Sequence, residues 1–173
     1  AEVPVWGHTT DPSPAATRYL AQRLQAIGLR PRIVFADKAG LLERLGTAST
    51  RAQIGYARWQ QDYPDAGVLL DRLYNGRNLR ATENLNYSYV DDARLNTLIA
   101  RSRTTRSRAA RIRLYRQIDR RVINRAYAAP FANSRRNDVV SRRVDGYIAH
   151  QVYGFLWSRA RIPADRGGVA AFS

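Results

Sequence analysis

The first 57 residues alternate short apolar runs with amphipathic stretches, and this order constrains the fold more than any other feature of the chain. Apolar runs separated by helical segments are typical of parallel sheets, because parallel neighbours need a crossover connection. The predicted strands cover 3–6, 32–35 and 53–57, and the predicted helices cover 14–28 and 39–45. With right-handed crossovers, we therefore expect an α/β fold whose mostly parallel central sheet is flanked by helices.

The first predicted helix carries start and stop signals. Asp11–Pro14 offers an N-cap and a proline in the first turn, and Gly28 is suited to a left-handed C-terminal cap. Three apolar residues recur along the helix at helical spacing: Leu20, Leu24 and Ile27. The next run, Arg32–Phe35, is continuously apolar after its arginine, which predicts a strand covered on both faces.

The second half of the chain favours helices. A short helix over 68–74 ends at the break Asn75–Asn78, and a polar loop follows. Asp91 or Asp92 caps the next predicted helix, and Ser107 or a nearby threonine caps a long one that reaches Asn124. The inward residues of the two helices are Leu95, Leu98 and Ile99, and then Leu114, Ile118 and Val122. These helices are expected to form an antiparallel pair.

The C-terminal part predicts short strands separated by polar turns. The strand candidates are 127–131, 139–140 and 147–149, and residues 163–173 are expected to form a flexible tail. A length of 173 residues suits one domain with a sizeable core. No apolar run approaches the roughly 20 residues that cross a bilayer as a helix.

A formal net charge of +15 raises the possibility of a polyanion partner. Clustered basic residues release counterions from phosphates, so a basic module that binds nucleic acid is the alternative function. The densest region is 101–113, which has neither the aromatic nor the glycine interleaving that accompanies base stacking. A solvated helix face is the plainer interpretation, and Lys38 as the sole lysine indicates an arginine-biased genome.

The sequence offers no convincing catalytic or metal-binding constellation. Cysteine is absent, and the two histidines, His8 and His150, are far apart in the chain. No nucleophile elbow, phosphate-binding loop or zinc-protease motif occurs. The paired acids Asp91 and Asp92 are better explained as caps. We therefore expect no enzyme activity and no cofactor.

A tryptophan and an aspartate follow the third predicted strand. Trp59 and Asp62 lie just before Pro64, where a strand gives way to a turn. Ligands of open α/β sheets bind outside the carboxyl ends of strands, and an aromatic wall with one fixed charge suits a small charged ligand. Spacing alone favours a plainer interpretation, in which Trp59 is a core residue and Asp62 begins the turn.

Resemblance to a known family changes that balance. The segment that starts at Trp59, W-x-x-D-Y followed by proline, is similar to the signature of the peptide-type (family 5) extracytoplasmic solute-binding proteins of ABC importers. Four further segments resemble motifs of this family in the same order, namely 16–29 ("qLxxiGi"), 86–99 ("N-x-S-x-Y-x-D-P-x-x-D-x-L-I"), 111–118 ("R-x-x-L-Y-x-x-L/I") and 144–147 ("v-x-G-y/f"). Together they extend over nearly the whole chain.

The resemblance implies a periplasmic-binding-protein-like lobe. The order of the motifs corresponds to the C-terminal part of the family, so residues 1–173 are expected to form one C-terminal lobe of a larger two-lobe protein. Such a protein captures a peptide-like solute, or alternatively a sugar or a metal chelate, and delivers it to an ABC permease in the membrane. Its partners would be the N-terminal lobe and the permease, with no nucleic acid expected. The implied location is extracytoplasmic, in the periplasm or lipid-anchored at the cell surface.

The resemblance also assigns roles at the site. In peptide-binding members the aspartate of the motif pairs with the α-ammonium group of the ligand and the tryptophan lies against the ligand, so these roles pass to Asp62 and Trp59. Tyr56 stands where some members carry a basic residue for the ligand carboxylate. Arg58 stands where glycine is common, and it would favour an anionic group if its side chain entered the cleft, although strand alternation also allows it to point away.

Overall fold

The chain divides into two compact units in the computed structural model, which describes residues 2–60, 62–133, 135, 137–150 and 152–166. Unit 1 comprises the residues up to 59 together with 66–128, and unit 2 comprises 60–65 together with the residues from 129 onward. The central sheet and all α-helices of the described residues belong to unit 1. Among the described residues, no helix has the length and hydropathy to cross a membrane.

The sheet of unit 1 has three parallel strands. They are β1 (Glu2–His8), β2 (Arg30–Ala36) and β3 (Ile54–Gly55), in the order β2-β1-β3. Val5 at the centre pairs with Ile33 on one side and Ile54 on the other, and it is fully buried. The connections are helices, α1 (Ser13–Ala26) between the first two strands and α2 (Lys38–Leu45) before the third. The predicted α/β class and parallel sheet are confirmed.

The expectation that β2 is covered on both faces is wrong. This strand lies at the edge of the sheet, and Ile33 and Phe35 each keep 37% of their surface exposed. A continuous apolar run reports only that burial is possible; it does not specify how many elements pack against the strand. The β3 strand is also shorter than predicted, with two residues instead of five.

The most deeply buried face of α1 consists of small residues, while the predicted apolar positions Leu20 and Leu24 are only half-buried. Its buried residues are Ser13, Thr17 and Ala21, whereas Ile27 is 73% exposed. The facing residue on β1 is Gly7, and the Thr17 hydroxyl occupies the space that a Cβ at this position would need. Glycine thus permits a close approach of helix and strand. The left-handed cap at Gly28, with a φ of 87°, is confirmed.

Three helices share the main apolar core of unit 1. They are α3 (Ala66–Tyr74), α4 (Ala93–Thr104) and α5 (Arg108–Asn124). Asp92 caps α4 and Ser107 caps α5, as predicted. The buried core residues are Leu70, Val90, Leu95, Leu98, Ile99, Leu114, Ile118 and Val122, which include every inward position predicted for the last two helices. Asp92 at the start of α4 contacts Arg121 near the end of α5, so these helices run antiparallel.

The loop before α4 is held by buried asparagines. Asn86 accepts a hydrogen bond from the Val90 N–H at 3.0 Å and donates one to the Val90 carbonyl at 2.9 Å. Asn84 donates to the Asn86 carbonyl at 2.8 Å. Ser88 donates to the Tyr127 carbonyl, which ties the same loop to the residues after α5. The predicted polar loop is therefore an ordered, internally bonded segment.

Unit 2 has little regular structure. Strands β4 (Ala149–His150) and β5 (Gly154–Phe155) form an antiparallel pair, and Asp145 forms a bridge with Arg161. The strands predicted at 127–131 and 139–140 are wrong, because both segments lack strand pairing. A short apolar segment does not make a strand without a neighbouring strand to pair its backbone hydrogen bonds. Within the predicted tail, residues 164–166 form a 3₁₀ turn, and 167–173 lie outside the described residues.

Candidate functional site

The carboxyl ends of β1 and β3 bring a histidine and a tyrosine together. Tyr56, directly after β3, donates its backbone N–H to the Trp6 carbonyl at 2.8 Å. Its ring meets His8, the last residue of β1, edge to face at a centroid separation of 5.5 Å. Adjacent parallel strands end at the same side of a sheet, so the contact follows from the β1–β3 pairing. This is the side at which ligands bind in α/β folds.

His8 is fixed in one orientation by the turn that follows it. Its Nδ1 accepts a hydrogen bond from the Thr10 N–H at 3.3 Å and lies 2.8 Å from the Thr10 hydroxyl. The His8 backbone N–H donates to the Ser13 hydroxyl at 2.9 Å. In the neutral ring this arrangement leaves the proton on Nε2. Sequence reasoning missed His8 as a neighbour of the site, although its place at the end of the first strand is a signal that would have identified it.

Trp59 is half-buried and packs beneath a cation. The Arg72 guanidinium, which extends from α3, lies 6.0 Å from the centroid of the Trp59 ring. The indole Nε1 is buried and has no hydrogen-bond partner among the described residues. A buried indole N–H normally finds a partner, so an acceptor at this position would stabilise the ring. No spacing in the sequence predicts the Arg72 contact, because this contact joins the segment after β3 to α3.

Arg58 and Asp62 are both exposed. Arg58 belongs to unit 1 with Tyr56 and Trp59, whereas Asp62 belongs to unit 2 and lies in a bend within the segment 60–65. The structure thus brings Tyr56 to His8 and Trp59 to Arg72.

The strongest electrostatic perturbation lies at the cap of α4 and not at the strand ends. Burial disfavours the charged form of Asp92, but bonds from Arg121, the Leu95 N–H and Tyr127, together with the Arg121 charge, lower its pKa to about 2. The distances to Oδ2 are 2.7 Å from Arg121 Nε and 2.9 Å from the Tyr127 hydroxyl. The Asp92 side chain in this cluster is only 7% exposed, and its bond with Arg121 joins α4 to α5.

The described residues contain no group of three or more histidine, cysteine, aspartate or glutamate side chains placed to hold a metal ion. Within unit 1, the groups near the strand ends are instead aromatic rings and arginines. Such groups bind organic ligands by stacking and by charge-assisted hydrogen bonds.

Comparisons with known proteins identify the fold. No family model matches the chain, and no curated protein matches it. Solved structures do match, among them HbpA2 from Haemophilus parasuis, with a TM-score of 0.75 and 20% identity over 94% of this chain and 32% of that one. A dipeptide-binding protein from Pseudoalteromonas sp. SM9913 in complex with Met-Leu gives 0.74 and 17%, with the same coverages.

A third matching structure contains a different kind of bound solute. NikZ from Campylobacter jejuni in complex with Ni(L-His) gives a TM-score of 0.56 and 16% identity over 68% of this chain and 23% of that one. Together these similarities show that the chain has the fold of a segment of periplasmic solute-binding proteins. The chain spans about a quarter to a third of the length of the solved structures it matches.

Proposed function

We propose that this chain is the C-terminal lobe of an extracytoplasmic solute receptor, which captures a peptide-like solute and delivers it to an ABC importer. The observation that carries this proposal is the W-x-x-D-Y segment, which begins at Trp59 in the loop after β3, in a fold shared with a dipeptide-binding protein. In this proposal Asp62 and Trp59 form the ligand contacts, with Tyr56 and Arg58 beside them. A second lobe of the same protein completes the site.

The chemistry of Asp62 suits the ammonium group of a peptide. Asp62 is exposed in the lobe alone, so its carboxylate carries no desolvation cost before the ligand arrives. When the second lobe closes, the ion pair leaves water, and charge-assisted bonds of this kind contribute roughly 1.5 to 3 kcal/mol. Binding then depends on closure over the ligand, as in other hinge-type receptors.

Trp59 is suited to form a wall of the site. The Arg72 guanidinium lies 6.0 Å from the centroid of its ring, and the indole is half-buried, so its freedom to rotate is reduced. A preorganised aromatic surface binds with a small loss of side-chain entropy. Its Nε1 has no partner among the described residues, so a peptide carbonyl is a chemically suitable acceptor.

A peptide is favoured over the other solutes by this set of groups. The complexes with Met-Leu and with Ni(L-His) show that proteins of this fold hold both peptides and chelates. Peptides and amino-acid chelates share a carboxylate and a nitrogen donor, and Arg58 is available for an anionic group. No role as an enzyme and no resident cofactor is proposed. The expected partners are the permease and the second lobe, at an extracytoplasmic location.

The test is calorimetric titration of the two-lobe protein with short peptides, each with a free or an acetylated N-terminus. Acetylation removes the ligand's positive charge without changing its side chains. For the wild type we expect acetylation to weaken binding by about 2 to 5 kcal/mol, because closure would then bury the Asp62 carboxylate without the ammonium group of the ligand. Asp62→Asn should weaken binding of the peptide with a free N-terminus by a similar amount. The Asp62→Asn protein should then bind the free and the acetylated peptide with equal affinity.

Asp65→Asn is the matched control, since it removes a carboxylate from the same segment. It should leave the difference between the two peptides unchanged. Equal effects of the two substitutions would contradict the role of Asp62, and failure to bind any peptide, oligosaccharide or chelate would contradict the receptor itself. Binding that falls steeply and linearly with salt on logarithmic axes would indicate the alternative basic module.

A further inference from the structure

The outer face of α5 combines three unpaired arginines with two exposed isoleucines. Arg113, Arg116 and Arg120 are exposed, and no ion pair joins them to any described residue. At 100° per residue, these three side chains fall within about 60° of one another. Ile112 and Ile123 flank them, and they keep 37% and 43% of their surface exposed. These five residues define the outer face of α5.

The charge of this face is nearly all of one sign. Between residues 108 and 124 the helix has a single acidic residue, Asp119, and α4 has none. Of the other three arginines in this stretch, Arg108 is exposed, and the two on the core side are engaged, Arg111 with the Thr105 carbonyl and Arg121 with Asp92. The outer arginines have no such internal role. Their mutual repulsion costs stability unless a negatively charged surface approaches them.

The isoleucines distinguish between possible anionic partners. Ile112 and Ile123 lie about 16 Å apart along the helix axis and at nearly the same rotation angle around it. They therefore form one line beside the arginines. Isoleucine gains nothing against the phosphates of a nucleic acid, and the outer face carries no aromatic ring to stack on bases. At a membrane surface the same line enters the acyl boundary while the arginines reach the headgroups.

We propose that the outer face of α5 docks the protein on anionic phospholipid. The helix lies parallel to the bilayer surface, its arginines contact the headgroup phosphates, and Ile112 and Ile123 insert shallowly. This surface uses none of the residues proposed for the solute. Weak and reversible docking would keep a solute receptor near the membrane through which its solute is imported.

The experiment is cosedimentation of the 173-residue chain with vesicles of equal parts phosphatidylglycerol and phosphatidylcholine, and with vesicles of phosphatidylcholine alone. We expect binding to the anionic vesicles only, at a salt concentration of about 50 mM, where the screening length exceeds about 10 Å. Replacing Arg113, Arg116 and Arg120 by glutamine should reduce this binding about a hundredfold, at about fivefold for each arginine.

Matched variants distinguish the effect of this local surface on vesicle binding from the effect of the overall charge of the chain. Replacing Arg51, Arg77 and Arg80 by glutamine removes the same charge from exposed positions outside α5, and it should reduce vesicle binding by less than about fivefold. Ile112→Ala with Ile123→Ala should weaken vesicle binding about tenfold and leave binding to a DNA oligomer unchanged. Circular dichroism of each variant checks that the helices remain folded.

The proposal is overturned if the chain does not bind anionic vesicles at low salt, or if the two arginine triples have equal effects. It is also overturned if the isoleucine variant binds vesicles as well as the wild type does. Tighter binding to DNA than to vesicles, with no effect of the isoleucines, would assign the outer face of α5 to nucleic acid instead.

Discussion

Asp92→Asn tests the cluster that joins α4 to α5. Asparagine keeps the size of the side chain, and its Oδ1 still accepts the Leu95 N–H that Asp92 accepts at 3.0 Å. The substitution removes the negative charge and places an amide donor opposite the Arg121 and Tyr127 donors. The loss in free energy of unfolding therefore reports on the charged contacts and not on the helix cap.

The magnitude follows from the lowered pKa of Asp92. A fall from 3.8 to about 2 corresponds to about 2 kcal/mol at 1.36 kcal/mol per unit. The side chain is only 7% exposed, so solvent screens the contacts weakly. Because the folded pKa is depressed, this stability is present in full above about pH 4 and is lost as pH falls through about 2. We expect Asp92→Asn to cost about 2 to 3 kcal/mol at pH 7.

The assay is urea unfolding followed by circular dichroism at helical wavelengths, which reports on unit 1 because it holds the α-helices of the described residues. Asp91→Asn is the control, since Asp91 is exposed and its carboxylate accepts a hydrogen bond from the Asn96 amide at 2.9 Å. It should cost less than about 0.5 kcal/mol. The reasoning is refuted if the two substitutions cost the same, or if the cost of Asp92→Asn is as large at pH 2 as at pH 7.

Two further predictions concern the loop before α4 and a glycine of unit 2. Asn86→Ala should lower the free energy of unfolding by about 2 to 3 kcal/mol in the same urea assay, because it removes the side-chain partners of the Val90 N–H and carbonyl, which are buried. A loss below about 0.5 kcal/mol, which is typical of surface substitutions, would contradict this account. Gly146→Ala should increase hydrogen exchange across 145–161 far more than Gly28→Ala does across its own helix end. Both glycines have positive φ, but a Cβ at Gly146 would collide with the Arg159 carbonyl whereas one at Gly28 meets nothing; equal exchange in the two variants would contradict the collision.

Local signals in the sequence predicted most of the helices. The caps at Asp92 and Ser107, the stop at Gly28 and the inward residues of α4 and α5 agree with the structure. Each of these signals acts within about one helical turn, so neighbouring residues are enough to specify it. The order of strands and helices likewise predicted the parallel sheet, because parallel pairing requires crossovers.

The candidate site was only partly predictable. Its segment, Tyr56 to Asp62, came from the sequence motif and from the end of a strand. The contacts of Tyr56 with His8 and of Trp59 with Arg72 did not, since they join residues that are far apart in the chain.

By itself, the sequence determined which segments are helices, which strands run parallel and where a ligand site would be sought. Only the tertiary structure decided that β2 lies at an edge, that α1 packs on Gly7 through Thr17, and that Asp92 meets Arg121. The reason is physical. Backbone preferences depend on adjacent residues, whereas burial and pairing depend on the element that packing brings alongside, and a single sequence does not specify that neighbour.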